Sequence, residues 1–358
     1  MREEVLPPLD ATPARPRRLR HIAGICAALA VVLILAQGYV FVGLRQLLRP
    51  LIGGLDNFDL VCDLICEGVC ALLCVEALVL LGGWRVLRVR REDLRLMLRR
   101  SWWARLVPLG LGSLSLWGTL GSGERLLPYW PVQVLLTLAL CASIGILEEA
   151  LFRGLVVGGM LARRGGRRAG VVRAVLVGSV VFGLAHLTFP ENDDPLTKAQ
   201  MVLKFLQAGS LGFYFACLAA RTESPWPSAF VHGFWDFALT LSSTLFVPNL
   251  VTEYVTTESA EVAQATCAYY VFVIALQLPL VIGGIRMLRE AQLPCYGWLP
   301  PARPKSDSAQ VPPSPDGMVA TPPVAPVVSV APAAEKDTAP PDPFAPAEKD
   351  GAPRLPQC

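Results

Sequence analysis

An all-α, polytopic membrane fold is predicted by three features of this chain. Apolar side chains make up 53% of its 358 residues and charged ones only 17%, and the mean hydropathy is +0.47. That balance lies outside the range of a soluble domain of this length. Apolar runs near the ~20 residues that a membrane-crossing helix needs recur along the sequence, separated by loops rich in Arg, Gly and Pro. Inside those runs stand a few isolated carboxylates and imidazoles, which are costly at membrane depth and are retained there for pairing or for chemistry.

Taken in order, the pattern predicts a bundle of about eight spans, at 22–44, 61–84, 106–120, 130–161, 171–189, 201–220, 226–246 and 267–288. Residues 1–21 form a basic segment ending in Arg15-Pro16-Arg17-Arg18-Leu19-Arg20. The first span is expected to be a retained helix and not a removed signal peptide, because it is long and lacks a small-residue cleavage pattern. The second is followed by a strongly basic connection, 85–105, and the third is short and glycine-containing. The fourth is long enough to tilt, and a basic turn, Arg163 to Arg168, follows it. Acidic loops follow the fifth span (Glu191, Asp193, Asp194) and the seventh (Glu253, Glu258, Glu261). With the N-terminus inside, both basic connections fall inside and both acidic loops outside. Both termini are then cytoplasmic, and the abundance of Arg, Ala, Gly and Pro fits a bacterial inner membrane protein.

The chain therefore divides into the segment 1–21, N-terminal helices and basic loop at 22–130, a core at 131–246, an outer loop and last helix at 247–298, and a tail at 299–358. The tail is Pro- and Ala-rich with the near-repeat Ala334-Glu335-Lys336-Asp337 and Ala347-Glu348-Lys349-Asp350. Such a composition cannot bury a core and predicts disorder. Of ten cysteines most lie within apolar runs, where they act as small hydrophobes, and no paired zinc-type spacing occurs. Cys62, Cys66, Cys70 and Cys74 recur every four residues, a stripe expected to pack against a neighbouring helix. Asp63 and Glu67 are interleaved with it, and Glu76 lies deeper. The arginine clusters are topology signals and contacts for anionic membrane lipids, not a nucleic-acid site.

The chemistry concentrates in 147–153, Leu147-Glu148-Glu149-Ala150-Leu151-Phe152-Arg153. Glu149 and Arg153 are four apart and share a helix face, where they can neutralise each other. Glu148 is turned about 100° away and left without that partner. Of three histidines, His21 sits in the basic flank, while His186 closes the fifth span and His232 lies in the seventh, four residues before Asp236. A carboxylate and two imidazoles on three apolar helices suit water activation, oxyanion stabilisation or metal ligation. At ~1.5 Å per residue, Glu148 and His186 each lie about 20 Å from the inner ends of their spans, and His232 only about 10 Å. Convergence of all three requires tilt, an early helix start or a break near Pro225 and Pro227.

In this order and setting, Glu148-Glu149-x-x-x-Arg153, Phe182-x-x-x-His186 and His232-x-x-x-Asp236 resemble the three motifs of the CPBP family, intramembrane proteases related to the CAAX prenyl endopeptidases. The likeness covers about 132–246. It implies hydrolysis of a peptide bond in a membrane-associated or prenylated substrate. Glu148 and His186 would activate the water, His232 and Asp236 would stabilise the oxyanion, and Glu149, Arg153 and Phe182 would hold the site's shape. The cofactor is implied to be none or a divalent metal such as zinc, held, if present, by Glu148, His186, His232 and Asp236. The third motif often ends in asparagine. An ionised Asp236 would repel an oxyanion, so it must be protonated, paired with His232 or bound to a metal. Two further readings of the same residues are a non-catalytic scaffold or immunity-type membrane protein and a proton-coupled transporter, since buried Glu and His also serve as proton relays.

Overall fold

The computed structural model describes residues 21–164, 168–188, 194–248, 255–257 and 259–290. They lie in one compact unit, Met1–Arg303; the second unit, Pro304–Cys358, is outside the described residues. The expected disordered tail at 299–358, the segment 1–20 and parts of the basic turn and both acidic loops also fall outside them. The elements are α1 (Ile22–Ile52), α2 (Phe58–Leu80), α3 (Arg91–Arg100), α4 (Trp102–Gly121), α5 (Trp130–Glu148), α6 (Gly158–Arg164), α7 (Arg168–Ala185), α8 (Pro195–Thr222), α9 (Trp226–Thr244) and α10 (Ala260–Glu290). A π-helical segment, Glu149–Val157, carries α5 into α6, and no strand occurs among the described residues.

Among the described residues five helices are long and apolar enough to cross a membrane: α1, the continuous Trp130–Ala162, α7, α8 and α10. The remaining three expected spans are the helices α2, α4 and α9. Each is diluted by polar or small residues: four carboxylates in α2, glycines and serines in α4, and Ser, His, Asp and Thr in α9. Side chains such as Leu35, Leu80, Trp117 and Leu135 point outward and are exposed, the distribution expected of a surface solvated by lipid.

A ladder of small and polar residues joins α5 to α9. Gln133, Thr137, Cys141, Gly145 and Glu149 recur every four residues along one buried face. Gln133 donates to the carbonyl of Thr244 at 3.3 Å, the Thr137 hydroxyl to that of Thr244 at 3.0 Å, and Cys141 meets Thr240 at 3.5 Å. At the next rung the backbones themselves touch: a Cβ on Gly145 would lie 2.6 Å from the Ala229 carbonyl oxygen, and one on Gly233 would lie 2.8 Å from that of Cys141. Without a hydrophobic drive between helices in lipid, small residues and interhelical hydrogen bonds are what bring helices together. The final rung sets Glu149 against His232.

The cysteine stripe behaves as a packing face. Cys62, Cys66, Cys70, Cys74 and Leu78 are all buried, the cysteines are free thiols, and Leu78 fills the space that a side chain at Gly154 would need. Glu76 lies on the exposed side of α2.

The connection 85–105, expected only as a basic link, folds into a short 3-10 turn, Trp84–Leu87, and the amphipathic α3. It packs on the junction of α8 and α9: the Trp226 indole donates to the Leu87 carbonyl at 2.6 Å, and the Tyr214 hydroxyl to that of Arg100 at 3.2 Å. Thr222, Ser224, Pro225, Pro227 and Ser228 at this junction are buried. The start of α9 therefore lies inside the protein, which brings His232 level with Glu148 even though α9 begins no earlier than expected.

Asp194 caps α8, accepting from the backbone N–H groups of Leu196 and Thr197 and from the Thr197 hydroxyl at 2.8–2.9 Å. The Thr197 N–H, followed by its hydroxyl, holds this carboxyl below the usual carboxylate range. A folded-state pKa that is depressed contributes stability in full above the unfolded value and loses it as pH falls through the folded one. Asp194→Ala should therefore weaken amide-exchange protection in the first turn of α8 at neutral pH, with the gap to wild type closing below about pH 4.

Gly145→Ala and Gly233→Ala should each cost about 1–3 kcal/mol by overpacking, read as a lower thermal midpoint in detergent. Gly118, which has nothing within 4 Å of an added Cβ, provides the control: its replacement by Ala should be neutral or stabilising by up to about 1 kcal/mol.

Candidate functional site

The regular geometry of α5 ends at Glu148 and the wider π-turn opens at Glu149. Local widenings of this kind are rare and gather at functional sites. Here the change falls between two adjacent carboxylates that point apart. Glu149 turns into the protein and is fully buried, while Glu148 lines a cavity of about 500 Å³.

Glu149 is held from two sides. Arg153 Nη1 lies 2.8 Å from its Oε1, and His232 Nδ1 lies 3.1 Å from the same oxygen. The guanidinium is itself fixed, donating to the Gly212 carbonyl at 2.9 Å and lying 4.3 Å from the centre of the Phe182 ring. A carboxylate bound by Arg accepts hydrogen bonds and does not donate them, so His232 Nδ1 carries a proton and its ring orientation is set. Such carboxylate–imidazole contacts fix a histidine's tautomer in many sites.

The opposite edge of His232 faces the cavity. Its Nε2 is 3.4 Å from Asp236 Oδ2 and 3.7 Å from Glu148 Oε2. Both ring nitrogens thus face acceptors, an arrangement that holds a doubly protonated imidazolium. His186 occupies the turn just after α7 and its Nδ1 lies 2.8 Å from the Phe182 carbonyl oxygen. Because a carbonyl only accepts, Nδ1 is the protonated nitrogen, and in the neutral ring Nε2 is left with its lone pair, 3.8 Å from Glu148 Oε2. Phe182 ties the two imidazoles together, with ring centres 4.6 Å from His186 and 5.7 Å from His232. Phe215 stacks on the other side of His232 at 4.8 Å.

All four residues proposed from the sequence for chemistry, Glu148, His186, His232 and Asp236, line the one cavity, and Phe182 joins them there. Glu149 and Arg153 lie behind, completely buried. Two participants were not anticipated. Phe215 reads in the sequence as one more apolar residue of α8. Lys204 also lines the cavity, and a signal for it was present: it is the only charged residue between Lys198 and Arg221.

A divalent ion such as zinc would draw on the same four side chains. Among the described residues no three His, Cys, Asp or Glu side chains are set to hold a metal ion. In this arrangement the residues do not fit such an ion, and the chemistry derived from them uses side chains alone.

Helices long and apolar enough to cross a membrane, enclosing a carboxylate–imidazole centre, define a polytopic membrane protein with a buried polar site. Residues 130–238 match the family model described as Type II CAAX prenyl endopeptidase Rce1-like. The matched segment runs from the start of α5 to Ala238 in α9 and contains every residue of the centre, and the match supports a likeness to the CPBP, or CAAX protease, family. No curated protein and no solved structure matches the chain.

Arg153→Met would leave Glu149 as a buried charge without its guanidinium, a change of about 3–5 kcal/mol in stability. The thermal midpoint in detergent should fall accordingly, and adding Glu149→Gln should recover part of the loss.

Proposed function

We propose that this protein is an intramembrane endopeptidase that hydrolyses a peptide bond in a membrane-associated or lipid-modified substrate. The observation that carries the reading is the position of the Glu148 carboxylate, lining the cavity within 3.8 Å of the Nε2 atoms of both His186 and His232. Contacts of that length between polar groups leave room for a bridging water. Glu148, with the lone pair of His186 Nε2, takes a proton from the water as it attacks the scissile carbonyl. The imidazolium of His232 donates through Nε2 to the developing oxyanion, with Asp236 beside it. Glu149, Arg153 and Phe182 hold His232 and His186 in place. The proton then passes from Glu148 to the leaving amine, which restores the resting state.

The family match supports proteolysis, and apolar lining residues such as Leu140, Ile144, Leu211 and Trp235 suit a substrate carrying a prenyl group or lying in the bilayer. The same reading takes α2, α4 and α9 as crossings beside the five apolar helices, giving eight spans in a bacterial inner membrane with both termini cytoplasmic. A scaffold would need none of the Glu148 and His186 geometry.

Mass-spectrometric cleavage profiling of the purified full chain in detergent, against a library of membrane and prenylated peptides, tests this. Wild type should generate new termini, Glu148→Gln and His186→Ala should each lose at least about 100-fold in rate, and a chelator should leave wild type unchanged. Equal cleavage by all three proteins would overturn the site, and loss of cleavage in chelator would overturn the metal-free chemistry.

A further inference from the structure

The cavity collects more negative charge than the hydrolytic residues alone imply. Asp63, Glu67, Glu148 and Asp236 all line it, and Lys204 is the only Lys or Arg among its described lining residues. Two of these acids have partners on α1: Asp63 pairs with Arg45 at 3.2 Å, and Glu67 accepts from Gln37 at 2.9 Å. Glu149 is matched by Arg153. Glu148 and Asp236 share one cation, the His232 imidazolium, at 3.7 and 3.4 Å, which leaves one carboxylate charge in excess, and Lys204 lines the same cavity.

Lys204 reaches this position from α8, where Nζ lies 3.4 Å from Gln207 Oε1. A cation in the middle of an apolar helix is expensive and is retained where it meets an opposite charge or a polar cavity. Attack of water on a carbonyl places new negative charge beside Asp236, whose Oδ2 lies 3.4 Å from the His232 nitrogen assigned to the oxyanion. A second carboxylate charge at that point opposes the reaction unless a cation offsets it.

We propose that Lys204 is the counter-charge of Asp236, and that the two together present to the scissile carbonyl a neutral face on which the oxyanion can form. This rests on the endopeptidase reading of the site. Lys204 is a positioning residue in this scheme, acting through Asp236 and not by contact with the substrate.

A double-mutant cycle on the full chain in detergent tests it by two readouts. In thermal unfolding, Lys204→Gln and Asp236→Asn should each lower the midpoint, and the double variant should be no less stable than the weaker single; additive losses would overturn the pairing. In hydrolysis of a peptide cleaved by wild type, Lys204→Gln should lower kcat by about 10- to 100-fold with KM little changed, and Lys204→Arg should restore most of it. In the Asp236→Asn background the same Lys204→Gln change should matter less than about threefold, because no carboxylate remains to be offset. A rise in KM that Asp236→Asn does not relieve would make Lys204 a substrate contact and overturn the proposal while leaving the endopeptidase intact. Thermal coupling in a protein that cleaves no peptide would support the pair and count against the endopeptidase.

Discussion

One buried carboxylate, Glu149, organises the centre of this molecule. Its Oε1 is shared between Arg153 at 2.8 Å and His232 at 3.1 Å, and neither the acid nor the guanidinium has measurable access to solvent beyond 1%. In a low-dielectric interior such a pair persists only when both charges are matched and held. The requirement propagates outward: Arg153 must reach the Gly212 carbonyl, Phe182 must lie against the guanidinium, and His232 must come close enough to share the oxygen. Each of those residues sits on a different helix, so satisfying one carboxylate draws α7, α8 and α9 around the end of α5.

The sequence meets that requirement through small residues. Gly145 and Gly233 let α5 and α9 approach until their backbones touch, and Gly212 leaves room for the Phe182 ring, which would meet an added Cβ at 2.7 Å. The step of about 100° between neighbouring helical residues lets Glu148 and Glu149 serve different ends, one in the cavity and one in the protein. The fixed charge behind His232 and the cavity-facing acid in front of it are thus neighbours in the chain, at the point where the helix widens.

Much of this was legible in the chain before any coordinates. The pairing of Glu149 with Arg153, and the separation of Glu148 from it, follow from helical spacing inside an apolar run. His232 with Asp236 follows from the same spacing, and the motif order pointed to the family that the 130–238 match supports. Other features were hidden for physical reasons. Helical periodicity assumes a constant pitch, so the widening at Glu149 leaves no mark in it. The ladder Gln133, Thr137, Cys141, Gly145 mixes amide, hydroxyl, thiol and hydrogen, a set alike only in size. Lys204 was visible as the one charge between Lys198 and Arg221, but which way it pointed depended on the turn of α8 relative to α9. The buried junction at Ser224 and Pro225 depends on α3 folding beneath it, and a basic loop does not announce a helix that packs on a turn.

The assignment of Glu148 as the group that activates water is tested most directly by hydrolysis in water enriched in oxygen-18. The peptide should be one that the wild-type protein cleaves, and thermal unfolding should show that the Glu148→Gln variant is folded. With wild type, the new carboxylate should carry the heavy isotope at a rate set by cleavage. The Glu148→Gln protein, folded and with Glu149, Arg153 and His232 undisturbed, should form no labelled product over the same period. Labelled product from that variant at a rate near wild type would contradict the role given to Glu148 and return the carboxylate to a structural one.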